Sequence, residues 1–234
     1  MKLEQQKLSY FHNIQSLSWF RTLEVLFVVL AIPMGIVPYI LLYDVLGLEN
    51  FALCFLVTFF LSYFFADIFS GCVHWFADHF GDEHTPIIGK NFILPFRVHH
   101  EDPKLMTKIS LWENLGSSCM LSFSLQSLMI LYLLNFQTSI LISVIFLFLN
   151  SLFIFTSLSN LFHRWAHFEA SELSSVILFL QKYHIILNPK SHDIHHNEPF
   201  DQSFCVTNNW ANPLLNKINF WKKPTEFLRL INKK

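Results

Sequence analysis

The chain contains four long apolar stretches, at residues 22–43, 51–69, 120–136 and 140–158. A helix needs about 20 apolar residues to cross the hydrocarbon core of a bilayer, where no water pairs with backbone polar groups. Only 14% of the residues are charged and 53% are hydrophobic, whereas soluble domains carry about a quarter charged residues. We therefore predict an all-α polytopic membrane protein with four transmembrane helices, a single domain over residues 1–234, and kinks in the first helix at Pro33 and Pro38.

The basic residues indicate how such a bundle is oriented. With four spans, all 16 Lys and Arg lie on one side of the membrane, and the loops on the other side contain none. Because cytoplasmic loops accumulate Lys and Arg, the basic side is predicted to be cytoplasmic, with both termini on it. The 12 His fall on this side too, which predicts a His-rich cytoplasmic cap built from residues 70–118 and 159–234.

Several functional classes are disfavoured by the composition. The formal net charge is −1 and no basic block is present, so no nucleic-acid partner is expected. The four Cys are scattered without C-x-x-C spacing and are interpreted as free thiols. The apolar run 176–180 is too short to span a bilayer and is interpreted as interfacial.

Two parts of the cap combine His with acidic residues. Asp67, His74 and Asp78 share one face if the second span continues as a helix, and the i, i+4 pair His74 and Asp78 is able to bind one metal. A solvated helix end is the alternative for that segment. The adjacent His99 and His100 diverge on a helix, so that each is free to serve a different ion. They are flanked by Arg97, which suits a phosphate headgroup or a positive-inside anchor, and by Asp102.

Two further clusters follow the fourth span. His163 and His167 lie four residues apart, with Asn160 one turn earlier on the same helical face. His184 and the closely spaced His192, His195 and His196 come after a short apolar run. By contrast His79, about 100° around the helix from Asp78, is predicted not to be a ligand.

These nine clustered His predict a metal centre with two ions. Nine imidazoles and one Asp exceed what a single ion binds and give four or five ligands to each of two. The absence of Cys at ligand spacing disfavours thiolate zinc and iron–sulfur sites. Imidazole-rich sites with open positions suit iron, which supports redox chemistry with molecular oxygen. A two-iron site at a membrane surface indicates oxidation of a lipid C–H bond.

With these residues assembled, the sequence resembles the Kua/CarF-type lipid desaturase family, which includes plasmanylethanolamine desaturases. The resemblance covers about residues 60–221. It is carried by Ser70-Gly71-x-x-His74-Trp75-x-x-Asp78-x-x-Gly81, Gly89-Lys90 with Phe96-Arg97-x-His99-His100-x-Asp102-Pro103, Asn160-x-x-His163-x-Trp165-x-His167, His184-x-Ile186-Leu187, His192-x-x-His195-His196 and Phe204-Cys205-x-Thr207-x-x-Trp210-x-Asn212. Departures are His79, where a small hydroxyl residue is usual, Ser191, where His is expected, and Asn209, where Gly is expected.

The resemblance implies an iron- and oxygen-dependent desaturase acting on a chain of an intact phospholipid, with the vinyl ether of plasmalogens as the expected product. It implies that the iron ligands are His74, His99, His100, His163, His167, His184, His192, His195 and His196. It also implies that Asp78 either binds iron or contacts a histidine that does. Asp67, Arg97, Asp102, Asn160, Trp210 and Asn212 are expected to support the ligands or bind substrate. Electrons are expected from a separate b-type cytochrome or ferredoxin with its reductase. Independently of the resemblance, a short chain without appended targeting signals favours a bacterial inner membrane over endoplasmic reticulum.

Other functions are compatible with the same pattern. A phospholipid acyl-chain desaturase or a lipid hydroxylase would use the same two-iron site, and only the product separates them. A His-rich metal transporter is disfavoured because transporters place ionisable residues near the bilayer midplane, where this chain has almost none. A non-catalytic membrane scaffold is the third class, for which replacing His195 and His196 by Ala should leave function intact.

Overall fold

The computed structural model describes residues 18–86 and 88–231, and within these ranges the chain is helical with connecting loops and no β-strand. Three helices are long and apolar enough to cross a membrane: α1 (Ser18–His79), α4 (Leu111–Asn135) and α5 (Ile140–Ala166). The prediction of an all-α chain with membrane-spanning helices is confirmed.

Helix α1 reverses its direction at Gly47. This residue has φ 70° and ψ 168°, outside the helical region and in a conformation that L side chains rarely adopt. The rings of Tyr39 and Phe55 lie 5.3 Å apart, whereas 16 residues of straight helix would separate them by about 24 Å. The two arms of α1 therefore pack side by side. Pro33 and Pro38 both lie within helical backbone, so the reversal of the chain occurs at Gly47 and not at either proline.

Helices α4 and α5 form a second antiparallel pair, joined by a short turn. Ser110 and Ser139 cap their first turns, each through its hydroxyl oxygen, and thereby satisfy backbone N–H groups that have no helical partner. The turn lies at the same end of the bundle as Gly47, because Leu42 and Leu46 of α1 form one buried cluster with Leu147 of α5. The opposite end therefore collects the start and end of α1, the start of α4 and the end of α5.

Buried polar side chains tie these apolar helices together. Asn150 of α5 accepts a hydrogen bond from Gln126 of α4 (3.0 Å) and donates one to the carbonyl of Gly35 in α1 (3.0 Å). Tyr39 and Ser151 form a further hydroxyl contact of 2.6 Å. Because apolar helices in lipid lack a hydrophobic driving force toward one another, such polar contacts help to determine their packing.

Short helices occupy the segments between and after the long ones. They are a π-helical turn (Gly89–Ile93), α2 (Leu94–Glu101), α3 (Leu105–Lys108), a 3-10 turn (Ala170–Glu172), α6 (Ser175–Lys182), α7 (Pro189–Asp193), α8 (Asn212–Lys217) and α9 (Lys222–Ile231). The third apolar helix starts at Leu111 rather than near residue 120, and much of the segment between His79 and Leu111 is helical. The four Cys are free thiols, as predicted.

The C-terminal segment folds back onto the second arm of α1. Phe204, Cys205 and Trp221 belong to a buried cluster against which Trp75 of α1 packs. At Gly71 a Cβ atom would lie 2.8 Å from the sulfur of Cys205 and 2.9 Å from the Trp221 ring. Only glycine permits this close approach, which brings residues 202–205 beside the end of α1.

Candidate metal centre

Nine of the ten predicted metal ligands converge at the end of the bundle where α1 and α5 terminate. The four contributing segments are distant in sequence and include both long and short helices. The ligands are His74 and Asp78 on α1, His99 and His100 on α2, His163 and His167 at the end of α5, and His192, His195 and His196 in and after α7. They divide into two groups, in each of which the ligand atoms lie within 4.8 Å of one another.

The first group, the five-histidine group, consists of His99, His163, His167, His192 and His196. The Nε2 atom of His192 lies 2.8 Å from that of His163, 3.1 Å from that of His167 and 3.0 Å from that of His196. One imidazole nitrogen has a single proton or a single lone pair, so three hydrogen bonds are impossible. An ion binding nitrogens at about 2.0–2.1 Å would hold neighbouring ligands roughly 3 Å apart.

The second group, the carboxylate group, consists of His74, Asp78, His100 and His195. The Asp78 Oδ2 atom lies 3.0 Å from the Nε2 atom of His100 and 3.6 Å from those of His74 and His195. His74 and Asp78 are four residues apart on α1, as the helical spacing predicted. This arrangement offers an ion three imidazoles and one carboxylate.

The two groups are direct neighbours. The ring centroids of His99 and His100 are 4.5 Å apart, and the structure places these adjacent residues in different groups. His74 of the carboxylate group also lies 5.3 Å from His163 of the five-histidine group, measured between ring centroids. Two ions bound here would form one centre, as in two-metal enzymes.

Backbone carbonyls orient several of the ligand rings. The Nδ1 atom of His74 donates to the carbonyl of Phe204 (3.2 Å), and that of His195 donates to the carbonyl of Gln202 (3.0 Å). A third such bond joins His99 Nδ1 to the carbonyl of Phe96. Because a carbonyl only accepts, Nδ1 carries the proton and the Nε2 lone pair is left for a metal.

Unpartnered buried atoms indicate that the centre fits metal ions. The Nε2 atoms of His74 and His99 and the Oδ1 atom of Asp78 are buried without a hydrogen-bond partner, an unfavourable state unless something else binds them. The donor set is imidazole and carboxylate with no thiolate. Such ligands suit iron as well as other divalent transition metals.

Burial keeps these imidazoles neutral, which is the form that binds metal. Desolvation, followed by the proximity of other histidines, holds the pKa values of His99 and His192 well below their ordinary value. The same causes lower the pKa of His167 to about 4 and that of His196 to about 2. The cluster is thus prepared for ligation near neutral pH.

His184 is the predicted ligand that does not reach the centre. Its side chain is exposed, and it lies outside both groups. Helix α6 ends at Lys182, after which His184 takes a left-handed conformation with φ 53°. Its backbone carbonyl accepts a hydrogen bond from the Trp210 indole (2.7 Å). The structure therefore does not support His184 as a metal ligand.

Asp67 supports the centre from a distance. It is fully buried, and its Oδ1 atom accepts hydrogen bonds from the backbone N–H groups of residues 207, 208 and 209, at 3.0–3.1 Å. Its Oδ2 atom accepts a fourth from Ala211 (3.0 Å). These bonds fasten the C-terminal segment to α1, and residue 204 of that segment orients His74.

Asn212 and Trp210 have similar structural roles. Asn212 accepts from the backbone N–H of Cys205 (3.0 Å) and donates to its carbonyl (2.9 Å). Asn209 beside them has a left-handed φ of 71°, which Asn tolerates better than most residues and which agrees with the Gly expected there. Both predicted supporting residues thus shape the loop rather than contact the ligand groups.

The remaining predicted supporting residues surround the centre. Asn160 lies one turn before His163 and donates to the carbonyl of Asn114 (3.3 Å). Arg97 donates to the carbonyl of Ala77 on α1 (3.3 Å). Asp102 ends helix α2, its N–H donating to the carbonyl of Val98 (3.0 Å).

Sequence reasoning missed the backbone acceptors of Phe96, Gln202 and Phe204, because no residue type marks a carbonyl that will meet an imidazole. It named Ser70 only as part of the family motif and gave it no role, whereas its hydroxyl oxygen accepts from the Val206 N–H (3.2 Å) and the Thr207 hydroxyl (3.2 Å). The small Ser70-Gly71 pair in a helix full of Phe was the available signal, since small residues mark close approach.

The fold and the centre together define the class of protein: an α-helical integral membrane protein with two adjacent His-rich groups suited to metal ions. Comparison with known families gives the next step. A family model described as the lipid desaturase domain matches residues 63–232, more than half of the chain. The chain belongs to the lipid desaturase family.

The curated relatives agree with this assignment. Plasmanylethanolamine desaturase of Myxococcus xanthus is 32% identical over 69% of this chain, and plasmanylethanolamine desaturase 1 of Mus musculus is 36% identical over 70%. Fatty acid desaturase 4-like 1, chloroplastic, of Arabidopsis thaliana is 29% identical over 69%. The matches span 56%, 61% and 52% of these relatives. No solved structure matches the chain.

Proposed function

We propose that this chain is a two-iron, oxygen-dependent desaturase that forms a double bond in a chain of an intact phospholipid, with the vinyl-ether bond of plasmalogens as product and plasmanylethanolamine as substrate. The observation that carries the proposal is the pair of adjacent ligand groups, five His in one and three His with Asp78 in the other. Two relatives named plasmanylethanolamine desaturases support the choice of substrate.

The reaction removes two hydrogens from adjacent carbons. Molecular oxygen accepts these two electrons and two more from an external donor, and with two protons from solvent it leaves as two waters. Bound iron would supply the redox chemistry that activates oxygen. The external donor is a b-type cytochrome or a ferredoxin with its reductase.

The chain's own residues provide rigidity and exclude water. His74, His163 and His195 are completely buried, and backbone carbonyls determine the ring orientation of His74 and His195. His100 and His196 are less buried and mark the more open side of the centre. Rigid ligands matter, because a displacement of about 1 Å in an active site can lower the rate roughly a hundredfold.

We also propose that the two arms of α1 each cross the membrane, giving four crossings with α4 and α5. The reversal at Gly47 and the turn after Asn135 would then lie on one side, and the metal centre on the other. The excess of Lys and Arg residues on the metal side supports a cytoplasmic orientation of that side. Residues 70–118 and 159–234 would form the cytoplasmic cap.

The test combines metal content with product analysis. Protein purified in mild detergent from iron-replete cells should contain about two irons per chain, and His195→Ala/His196→Ala should lose them. Supplied with plasmanylethanolamine, oxygen and a reducing partner, the parent should produce an acid-labile vinyl ether that mass spectrometry finds two hydrogens lighter than the substrate.

Other outcomes would contradict specific parts of the proposal. Stoichiometric zinc, or metal that survives the double substitution, would refute the two-iron centre. A product that has gained an oxygen atom would identify a hydroxylase instead of a desaturase.

A further inference from the structure

A small cleft that combines charged side chains with apolar walls lies beside the metal centre, at the same end of the bundle. The start of α1, the π-helical turn, the start of α4 and the last turns of α5 enclose it. Its polar lining includes Arg21, Glu24, Lys90, Glu113, Asn114 and Asn160. The wall toward the metal centre contains Phe96.

The charged side chains of the cleft balance each other. Arg21 forms ion pairs with Glu24 (2.5 Å) and with Glu113 (2.9 Å). Lys90 is exposed and forms no ion pair with any residue in the described part of the chain. Two cations and two carboxylates in one cleft suit a ligand that carries one charge of each sign, rather than a simple anion.

Asn114 adds an acceptor that lacks a donor. This residue is 5% exposed, and its Oδ1 atom is buried without a hydrogen-bond partner. An unpaired buried acceptor is unfavourable, so a ligand that donates hydrogen bonds would relieve it. Together with Glu113, Asn114 provides acceptors suited to a primary ammonium group, which has three N–H donors.

One aromatic ring separates the cleft from the metal centre. The ring of Phe96 lies 5.1 Å from His74 and 6.4 Å from His163, between ring centroids. Asn160, which also lines the cleft, precedes His163 by one turn on α5. A ligand held in the cleft would therefore lie next to the metal ligands.

We propose that this cleft binds the headgroup of the phospholipid substrate, with the phosphate at Lys90 and Arg21 and a primary ammonium at Glu113 and Asn114. This assignment rests on the proposed function, because a lipid headgroup is expected here only if the chain acts on a phospholipid. Hydrogen-bond acceptors favour a primary ammonium over a quaternary one, because a quaternary ammonium has no N–H donor and is bound by aromatic cages.

The position of the cleft also bears on which carbons are oxidised. About eight single bonds separate a non-bridging phosphate oxygen from the second carbon of the chain on the terminal glycerol carbon, an extended length of roughly 10 Å at about 1.25 Å per bond. A headgroup held one aromatic ring from the metal ligands would present this end of the chain. The geometry thus fits a double bond beside the glycerol rather than one in the middle of a chain.

The test measures headgroup-dependent binding separately from catalysis. Purified protein is titrated with short-chain phosphatidylethanolamine and, separately, phosphatidylcholine of the same chains, and binding is followed by native mass spectrometry. The parent should prefer phosphatidylethanolamine. Asn114→Leu should weaken its binding about tenfold, the effect of losing one hydrogen bond to a charged group, and leave phosphatidylcholine binding unchanged. Glu113→Gln should weaken phosphatidylethanolamine binding more than phosphatidylcholine binding, because the carboxylate accepts N–H donors from the first and only attracts the charge of the second.

Glu169→Gln is the matched control, because Glu169 is an exposed carboxylate that pairs with Lys104 outside the cleft. It should bind both lipids like the parent. Metal content and thermal midpoint without lipid show whether each variant is folded. Lys90→Gln at the exposed mouth tests the phosphate half independently and should weaken both lipids alike, since both carry a phosphate.

Equal binding of the two lipids by the parent would overturn the proposal, and so would an unchanged preference in Asn114→Leu and Glu113→Gln. Soluble phosphoethanolamine bound more tightly than the lipid would overturn the assignment to a lipid headgroup. Binding is measured without turnover, so the two proposals can fail separately. Absence of a vinyl-ether product would refute the proposed reaction but would not affect the measured headgroup preference.

Discussion

His192 touches three other histidines of the five-histidine group through a single nitrogen atom. Its Nε2 atom lies 2.8–3.1 Å from the Nε2 atoms of His163, His167 and His196. No assignment of protons satisfies all three contacts, whereas one shared ion would. At the scale of residues, substitution of His192 is therefore the most direct test of metal binding.

Replacing His192 by Ala should remove one ion from the centre. We expect His192→Ala to lose at least half of the bound iron and to lower vinyl-ether formation by about a hundredfold or more, since changes even to partners of ligands have effects of 10–100-fold. Elemental analysis and lipid mass spectrometry measure the two effects.

His79→Ala is the matched control for this substitution. His79 stacks on Trp75 and contacts its carbonyl through Nδ1 (2.8 Å), and it belongs to neither ligand group. Full metal in His192→Ala, or equal losses in both variants, would contradict the assignment of ligands.

At the scale of elements, the contact between α1 and the C-terminal segment determines whether the ligands meet. Asp67 is buried in α1 and accepts four backbone N–H groups from residues 207–211. The same segment supplies the carbonyls that orient His74 and His195. A substitution at Asp67 is thus expected to reduce metal binding, although Asp67 contacts none of the predicted ligands.

Asp67→Asn should destabilise the protein by about 2–3 kcal/mol, because an amide replaces one accepting oxygen with a donor that faces the Ala211 N–H. A lower thermal midpoint in detergent and partial loss of metal are expected together. Asp44→Asn, at an exposed position of the same helix, should change neither quantity. A midpoint for Asp67→Asn equal to the parent's would refute the anchoring role.

At the scale of the whole molecule, both chain reversals of the bundle lie at the end opposite the metal ligands. If all four long arms cross the membrane, Glu49 beside Gly47 and Lys104 near the centre face opposite compartments. With Cys72 replaced by Ser, an impermeant maleimide applied to intact cells should label Glu49→Cys and not Lys104→Cys. Inverted vesicles should give the reverse. Labelling of both from one side would refute four crossings.

The buried histidines also predict how stability depends on pH. Above about pH 7.5 they are neutral in the folded and unfolded states alike and contribute no pH dependence. Between pH 6.5 and about 4 His167 and His196 bind protons in the unfolded chain but not in the folded protein. The reason is that burial lowers their folded-state pKa values to about 4 and about 2. The free energy of unfolding therefore falls as pH falls.

Thermal unfolding of metal-free protein in detergent measures this dependence. The midpoint should be level above about pH 7.5 and decrease steadily toward pH 4.5. Metal-loaded protein should have a higher midpoint at neutral pH and a steeper decrease, since protons compete with the metal for the same nitrogens. A metal-free midpoint independent of pH over this range would contradict the burial of neutral imidazoles.

Much of the candidate site was predictable because it depends on local spacing. The pairs His74 with Asp78 and His163 with His167 follow from the period of a helix, and the structure brings each pair's ring or carboxylate to the centre. The divergence of His99 and His100 was predictable for the same reason. His184 failed this test, since a left-handed residue after α6 turns the chain where no helical spacing applies.

The sequence by itself determined an all-α membrane protein with a His-rich centre, because hydropathy and helical spacing act over a few turns. Only the tertiary structure decided the rest: the reversal at Gly47, the division of nine predicted ligand residues into five and four, and the carbonyls of residues 96, 202 and 204 that contact their rings. The meeting of the four segments depends on contacts between residues far apart in the chain, such as His74 with Phe204, which no local pattern encodes.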